Sequence, residues 1–179
     1  FSDMAMQDFE YANTQSASLS RVSLSDGSVA EFEAYVDLEG KTRSRLKSFL
    51  NGTTGERFDF AYVTNGSDIL ASVATPSEQI LFESFTDSKG TARSRIKQVT
   101  KGSDVSTYAY VSLDSEVLSK ITTQNGAEVF YENYMEESGD LRSRISRAAD
   151  SATGSEATFT YFNDTSDLLK EIDFTNGEK

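Results

Sequence analysis

Short stretches of alternating apolar and polar residues recur from one end of the chain to the other. Arg57-Phe58-Asp59-Phe60-Ala61-Tyr62 is one such stretch. Alternation with a period of two predicts half-buried β-strands, because successive side chains of a strand point to opposite faces. No window of 11 or more residues shows a convincing 3.6-residue period, so helix is expected to be nearly absent. Between the stretches lie Asp26-Gly27, Asn65-Gly66, Asn125-Gly126 and Asn176-Gly177, the chemistry of tight turns.

The alternation is organised into a repeat. Gly40-Lys-Thr-Arg-Ser-Arg-Leu46, Gly90-Thr-Ala-Arg-Ser-Arg-Ile96 and Gly139-Asp-Leu-Arg-Ser-Arg-Ile145 follow one another at spacings of 50 and 49 residues. Upstream of each stands an aromatic pair, Phe32 with Tyr35, Phe82 with Phe85 and Tyr131 with Tyr134, always eight residues from the first aromatic to the glycine. A second motif fills the other half of the period: aromatic-x-aromatic, then Leu-x-x-Val/Ile. Its copies are Phe9-Glu-Tyr11 with Leu19 and Val22, Phe60-Ala-Tyr62 with Leu70 and Val73, Tyr108-Ala-Tyr110 with Leu118 and Ile121, and Phe159-Thr-Tyr161 with Leu169 and Ile172.

Four strands of roughly 6 to 9 residues fit one period: strand a with Leu-x-x-Val/Ile, b with the aromatic pair, c with Arg-Ser-Arg, and d with aromatic-x-aromatic. The chain then reads as one d strand, three abcd sets and a final a strand, about 14 strands in all, in an all-β antiparallel meander of ~50-residue units. An open or curled sheet is the expected form. An incomplete β-propeller-like arrangement is the alternative, since four strands per unit is propeller arithmetic, but four blades would need one more b–c hairpin. Residues 1–7 are expected to form a mobile N-terminal arm and 8–179 a single β-repeat domain, with copies near 19–69, 70–117, 118–168 and a partial one at 169–179.

The Arg-Ser-Arg run is the most specific chemical feature. Residues n and n+2 of a strand share a face, so Arg43 and Arg45 project together. A three-residue loop ending in glycine, built as a type I turn plus a glycine bulge, pairs Asp37 with Lys41. That register sets Tyr35 opposite Arg43 and Glu33 opposite Arg45 on one face, and Phe32 opposite Leu46 on the other. It also sets Phe85 opposite Arg93 and Glu83 opposite Arg95 in the second copy, and Tyr134 opposite Arg142 and Glu132 opposite Arg144 in the third. Tyr35, Arg43, Arg45, Phe85, Arg93, Arg95, Tyr134, Arg142 and Arg144 are therefore the candidate ligand or interface residues. Two readings compete. Arginine forks match carboxylate or sulfate bidentately; alternatively the same side chains form ladders of salt bridges and cation–π contacts within each hairpin. Recurrence in all three copies favours ladders, because a binding site usually needs one specialised copy.

Composition narrows the functions. There is no Cys or His, so no thiol nucleophile, no Ser-His-Asp triad, no disulfide and none of the common zinc, haem or iron-sulfur ligand sets are expected. Lys and Arg number 17 against 29 Asp and Glu, a formal charge of -12, which argues against nucleic-acid and anionic-membrane partners. No apolar run approaches the roughly 18 residues of a membrane span. The N-terminus lacks the layout of a signal peptide, and a start at Phe1 is what a processed chain would show. Leu, Ile, Val and Phe make up 40 of 179 residues, little above the roughly 20% below which charged chains stay disordered, so the core must be thin. No glycosidase pair or calcium loop is signalled. The Asn-x-Ser/Thr sequons at Asn51, Asn65 and Asn163 matter only in a eukaryotic secreted setting.

The aromatic-x-x-aromatic-Asp-x-x-Gly-x-x-x-Ser-Arg-Ile pattern of Phe82, Phe85, Asp87, Gly90, Ser94, Arg95 and Ile96 resembles YD/RHS-type repeats, the β-hairpin repeats of bacterial surface and toxin-shell proteins. In composition and meander rhythm the chain is also similar to the charged single-layer sheets of spirochaete outer-surface lipoproteins. Neither resemblance implies a catalytic residue or a cofactor. The expected function is non-enzymatic: a secreted or cell-surface structural repeat protein, bacterial in preference, that self-assembles through sheet edges or an apolar face, or is adhesive. The alternative is a carbohydrate- or peptide-binding module that uses the strand aromatics.

Overall fold

The computed structural model describes residues 7–13 and 18–175. Residues 1–6 of the expected N-terminal arm and the turn at Asn176-Gly177 lie outside them, while Gln7 opens the first strand. Among the described residues the chain forms fourteen strands and no helix. They are β1 Gln7–Tyr11, β2 Leu19–Leu24, β3 Val29–Val36, β4 Thr42–Leu50, β5 Arg57–Tyr62, β6 Leu70–Ala74, β7 Glu78–Thr86, β8 Ala92–Lys101, β9 Asp104–Tyr110, β10 Leu118–Thr123, β11 Ala127–Met135, β12 Leu141–Asp150, β13 Ser155–Tyr161 and β14 Leu169–Phe174. The sheet order is the sequence order, so the chain is an antiparallel meander with no crossover. It divides into two compact units, Phe1–Ser84 and Phe85–Lys179.

The second motif owes its odd spacing to a bulge. In the first unit β5 meets β6 with Phe60 opposite Val73 and Ala61 opposite Ser72, and then slips so that Tyr62 faces Leu70. Ala71 is the extra residue. That insertion is why Leu and Val stand three apart: with one residue bulged out, Leu70 and Val73 still oppose the two aromatics of the d strand. The slip recurs between β1 and β2 (Tyr11 with Leu19), and in the second unit between β9 and β10 (Tyr110 with Leu118) and β13 and β14 (Tyr161 with Leu169).

The b–c hairpins have the register that the glycine loop dictates. Tyr35 faces Arg43, Glu33 faces Arg45 and Phe32 faces Leu46; Tyr134 faces Arg142, Glu132 faces Arg144 and Tyr131 faces Ile145. The Gly40 N–H donates to the Asp37 carbonyl and the Asp37 N–H to the Lys41 carbonyl, both at 2.9 Å. Gly40 has φ +77°, in the left-handed region that glycine enters without the Cβ clash. Gly52 is required for a different reason. A Cβ there would stand 2.2 Å from the Asp26 carbonyl oxygen and 2.4 Å from the Ser28 nitrogen, because the β4–β5 loop packs its backbone onto the β2–β3 turn.

The core is thin, as the apolar count requires. Among the described residues the apolar side chains that are buried are Tyr35, Phe85, Tyr134 and Ala157, and most other strand residues are half-buried. Neighbouring side chains on a face shield one another, as Phe49 and Phe58 do with ring centroids 6.2 Å apart. Cross-strand pairs of this kind contribute about 0.2–1 kcal/mol each. Stability is spread thinly over many ladders rather than gathered in one deep core.

Candidate functional site

Arg45, on β4, reaches both neighbouring strands and a loop. Its guanidinium carbon lies 5.0 Å from the Tyr35 ring centre on β3 and 4.2 Å from that of Tyr62 on β5. Nε donates to Glu33 Oε1 at 2.7 Å, and Nη1 to the Thr64 carbonyl at 2.9 Å and to the Ser67 carbonyl. Tyr62 completes the arrangement by donating its hydroxyl to the Leu46 carbonyl at 2.5 Å. One side chain thereby ties strands b, c and d to the loop that leads into the next a strand.

The second unit contains the same arrangement twice. Arg95 on β8 lies 4.9 Å from Phe85 and 4.2 Å from Tyr110, and its Nη1 donates to the carbonyls of Ser112, at 2.9 Å, and Ser115. Arg144 on β12 lies 5.0 Å from Tyr134 and 4.1 Å from Tyr161. It donates to Glu132 at 2.7 Å, to the Asn163 carbonyl at 2.7 Å and to the Ser166 carbonyl. Tyr110 and Tyr161 donate their hydroxyls to the Ile96 and Ile145 carbonyls, at 2.5 and 2.6 Å. Tyr35, Phe85 and Tyr134 are each 8% exposed, so the three copies are covered alike.

The first arginine of each run goes elsewhere. Arg43 Nε donates to Asp37 Oδ2 at 2.5 Å, Arg93 Nε to Asp87 Oδ2 at 2.8 Å, and Arg142 stands 3.3 Å from Glu136. Although Tyr35 directly opposes Arg43 in the ladder, the ring is taken by Arg45, its diagonal neighbour. The right-handed twist of a β-hairpin carries one diagonal pair together on each face, and the turn carboxylate holds Arg43 away. Asp37 Oδ1 also accepts the N–H groups of Glu39 and Lys41 at 2.9 and 2.8 Å. The Arg43 hydrogen bond, then the Lys41 N–H, hold the Asp37 carboxyl below its ordinary pKa. For Asp87 the Thr91 N–H is the leading cause of the same shift. The Asp37 contact in turn raises the Arg43 guanidinium.

All nine residues singled out in the sequence thus sit in or beside these three arrangements. The tyrosines of the d strands, Tyr62, Tyr110 and Tyr161, were not among them. Their signal was present in the motif: the first aromatic of aromatic-x-aromatic varies between Phe and Tyr, whereas the second is Tyr in every copy. In the three interior copies the hydroxyl has a fixed acceptor, the carbonyl of the residue after the second arginine. Burial raises the pKa of Tyr62 and Tyr161, opposed by Arg45 and Arg144 respectively.

Chemically, the arrangement is a clamp. The Nε and Nη1 donors of Arg45 and Arg144 already meet a carboxylate and two carbonyls within the chain. No protein-family model matches the chain, and no curated protein matches it either.

Proposed function

We propose that the chain is a non-enzymatic structural repeat protein of the secreted or cell-surface kind, whose arginine–aromatic clamps serve to hold the strands of each repeat in register. The observation that carries this reading is the equivalence of the copies: Tyr35, Phe85 and Tyr134 are covered to the same degree, and Arg45, Arg95 and Arg144 are directed at the same set of partners. A ligand site would distinguish one copy from the others; a scaffold uses each copy in the same way.

Self-association belongs to the same reading. Phe162, Leu168 and Leu169 are exposed where β13 turns into β14, and Phe174 is exposed at the far end of β14, apolar surface that water disfavours on a strand whose outer edge is unpaired in the sheet order. Light scattering coupled to size exclusion should show a mass that rises with concentration, and Leu168→Ser with Phe174→Ser should lower it. A strict monomer at high concentration would remove self-assembly from the proposal, and a glycan or small anion that shifts the amides of one clamp only would remove the structural reading itself.

A further inference from the structure

β1 is a fourth d strand, and its clamp is only half built. Its register against β2 is that of the interior copies: Phe9 faces Val22, Glu10 faces Arg21, and the slip brings Tyr11 opposite Leu19, as Tyr62 stands opposite Leu70. The loop after it closes in the same way, with the Ala12 N–H donating to the Ser18 carbonyl at 2.9 Å, as the Val63 N–H donates to Ile69 at 2.9 Å. The backbone is therefore placed as in β5, β9 and β13. What differs is the outer neighbour. Beside β5, β9 and β13 runs a c strand, β4, β8 or β12 respectively, while β1 stands at the end of the order. Tyr11 is accordingly 54% exposed and Phe9 51%, whereas Tyr62 and Phe60 are half-buried. Among the described residues no arginine stacks on Tyr11.

We propose that the open edge of β1 is a docking site for an extended, basic polypeptide strand, added antiparallel, with one arginine seated on the Tyr11 ring. Main-chain pairing to an exposed edge supplies affinity, and the arginine supplies register. Three interior copies define the occupant. Each shows an arginine against the tyrosine ring of the d strand, and the carbonyl of the residue after that arginine accepting the tyrosine hydroxyl. Charge points the same way. β1 carries Asp8 and Glu10, and where β1 has Glu10 the interior d strands have Ala61, Ala109 and Thr160. Arg21 opposes Glu10 from the β2 side, but Asp8 opposes only Ser23. A second copy of this chain, at a formal charge of -12 and with its c strands already paired on both sides, is a poor fit to an acidic edge; a basic strand is a good one.

The test uses the full chain, labelled with 15N, and a linear peptide copying residues 41–50. Saturable shifts confined to the β1 amides are expected. Tyr11→Ala, a substitution at an exposed edge, should weaken binding by roughly 3- to 30-fold, the range spanned by one exposed to partly desolvated cation–π contact. A peptide with Arg45→Lys keeps the charge but loses the planar fork, and should also bind several-fold more weakly. Circular dichroism of the Tyr11→Ala chain checks that the sheet is retained, and Tyr11→Phe, which keeps the ring, should bind nearly as well as the parent. Three outcomes would overturn the proposal: no saturable shift at β1, equal binding of the Arg45→Lys peptide, or β1 shifts that depend on protein concentration alone, which would assign the edge to a second copy.

Discussion

Arg43 and Arg45 leave the same face of β4 two residues apart, yet the Arg43 side chain is 53% exposed and that of Arg45 only 9%. Each has a carboxylate partner at close range, Asp37 at 2.5 Å and Glu33 at 2.7 Å. Distance to the acid therefore does not separate them. What separates them is what else each guanidinium touches. Arg43 belongs to a turn that is already closed by backbone hydrogen bonds and by Asp37 Oδ1. Arg45 joins three strands and a loop through two rings and two carbonyls as well. An ion pair in water contributes little, whereas a desolvated cation with several partners leaves all of them unsatisfied when it is lost.

The largest expected effect is therefore Arg45→Ala. Removing the guanidinium uncovers the Tyr35 and Tyr62 rings, takes the only side-chain donor from the Ser67 carbonyl and leaves the Thr64 carbonyl with the Ser67 N–H alone, at a cost on the order of 2–4 kcal/mol, read as a fall in the urea midpoint. Arg45→Met sharpens the comparison. An apolar chain of similar length keeps the ring contacts and gives up only the polar ones, so it should recover part of the loss. If Arg45→Ala and Arg43→Ala shift the midpoint equally, the clamp is not what holds the sheet.

Tyr62→Phe comes next. It keeps the ring over Arg45 and removes one donor to the Leu46 carbonyl, which should cost about 1 kcal/mol. The same change at Tyr11, which has no c strand beside it, should leave the midpoint unmoved. A loss of equal size at both positions would mean that the hydroxyl acts through the d strand's own fold and not through the neighbouring strand.

These contrasts also mark where the sequence was readable. The alternation, the glycine loop and the eight-residue offset determine strand order and the b–c register, because a two-residue side-chain period leaves a hairpin little freedom once its loop length is set. From the ladder alone, however, Tyr35 belongs with Arg43. Which diagonal closes depends on twist and on competition from Asp37, neither of which is encoded in spacing. The partnership of Tyr62 with Arg45 was hidden for a related reason: it joins strands c and d, whose loop, Asn51 to Glu56, has no glycine at a constant offset to fix the register by eye. The Leu-x-x-Val spacing departs from the two-residue period because a bulge at Ala71, which the spacing alone does not locate, adds a residue.

Acid separates the two ends of the motif by a different route. Asp37 and Asp87 have carboxyls held below their ordinary pKa by hydrogen bonds in the turn. Because the folded value is the lower one, their contribution is present above the unfolded value of roughly 3.9 and disappears as pH falls through the folded value. The urea midpoint should hold steady from neutral pH down to about 5 and then drop. Asp37→Asn with Asp87→Asn should flatten that drop without abolishing it, since Asp26 and Glu31 are lowered too, by Ser28 and Ser48 respectively.

Arg43→Ala should have the smallest effect. Its guanidinium lies largely in water, and Asp37 keeps the Glu39 and Lys41 N–H groups when the arginine is gone, so at neutral pH the turn stays closed and the midpoint shifts no more than for an ordinary surface substitution. Its signature is expected in salt and acid instead. The small loss should shrink further in 1 M NaCl, where screening falls to a few ångströms, and the acid transition should move upward, because the arginine hydrogen bond is the leading cause of the low Asp37 pKa. A midpoint loss that survives high salt would show that Arg43 shares the packing role of Arg45, and the distinction between the two ends of the motif would fail.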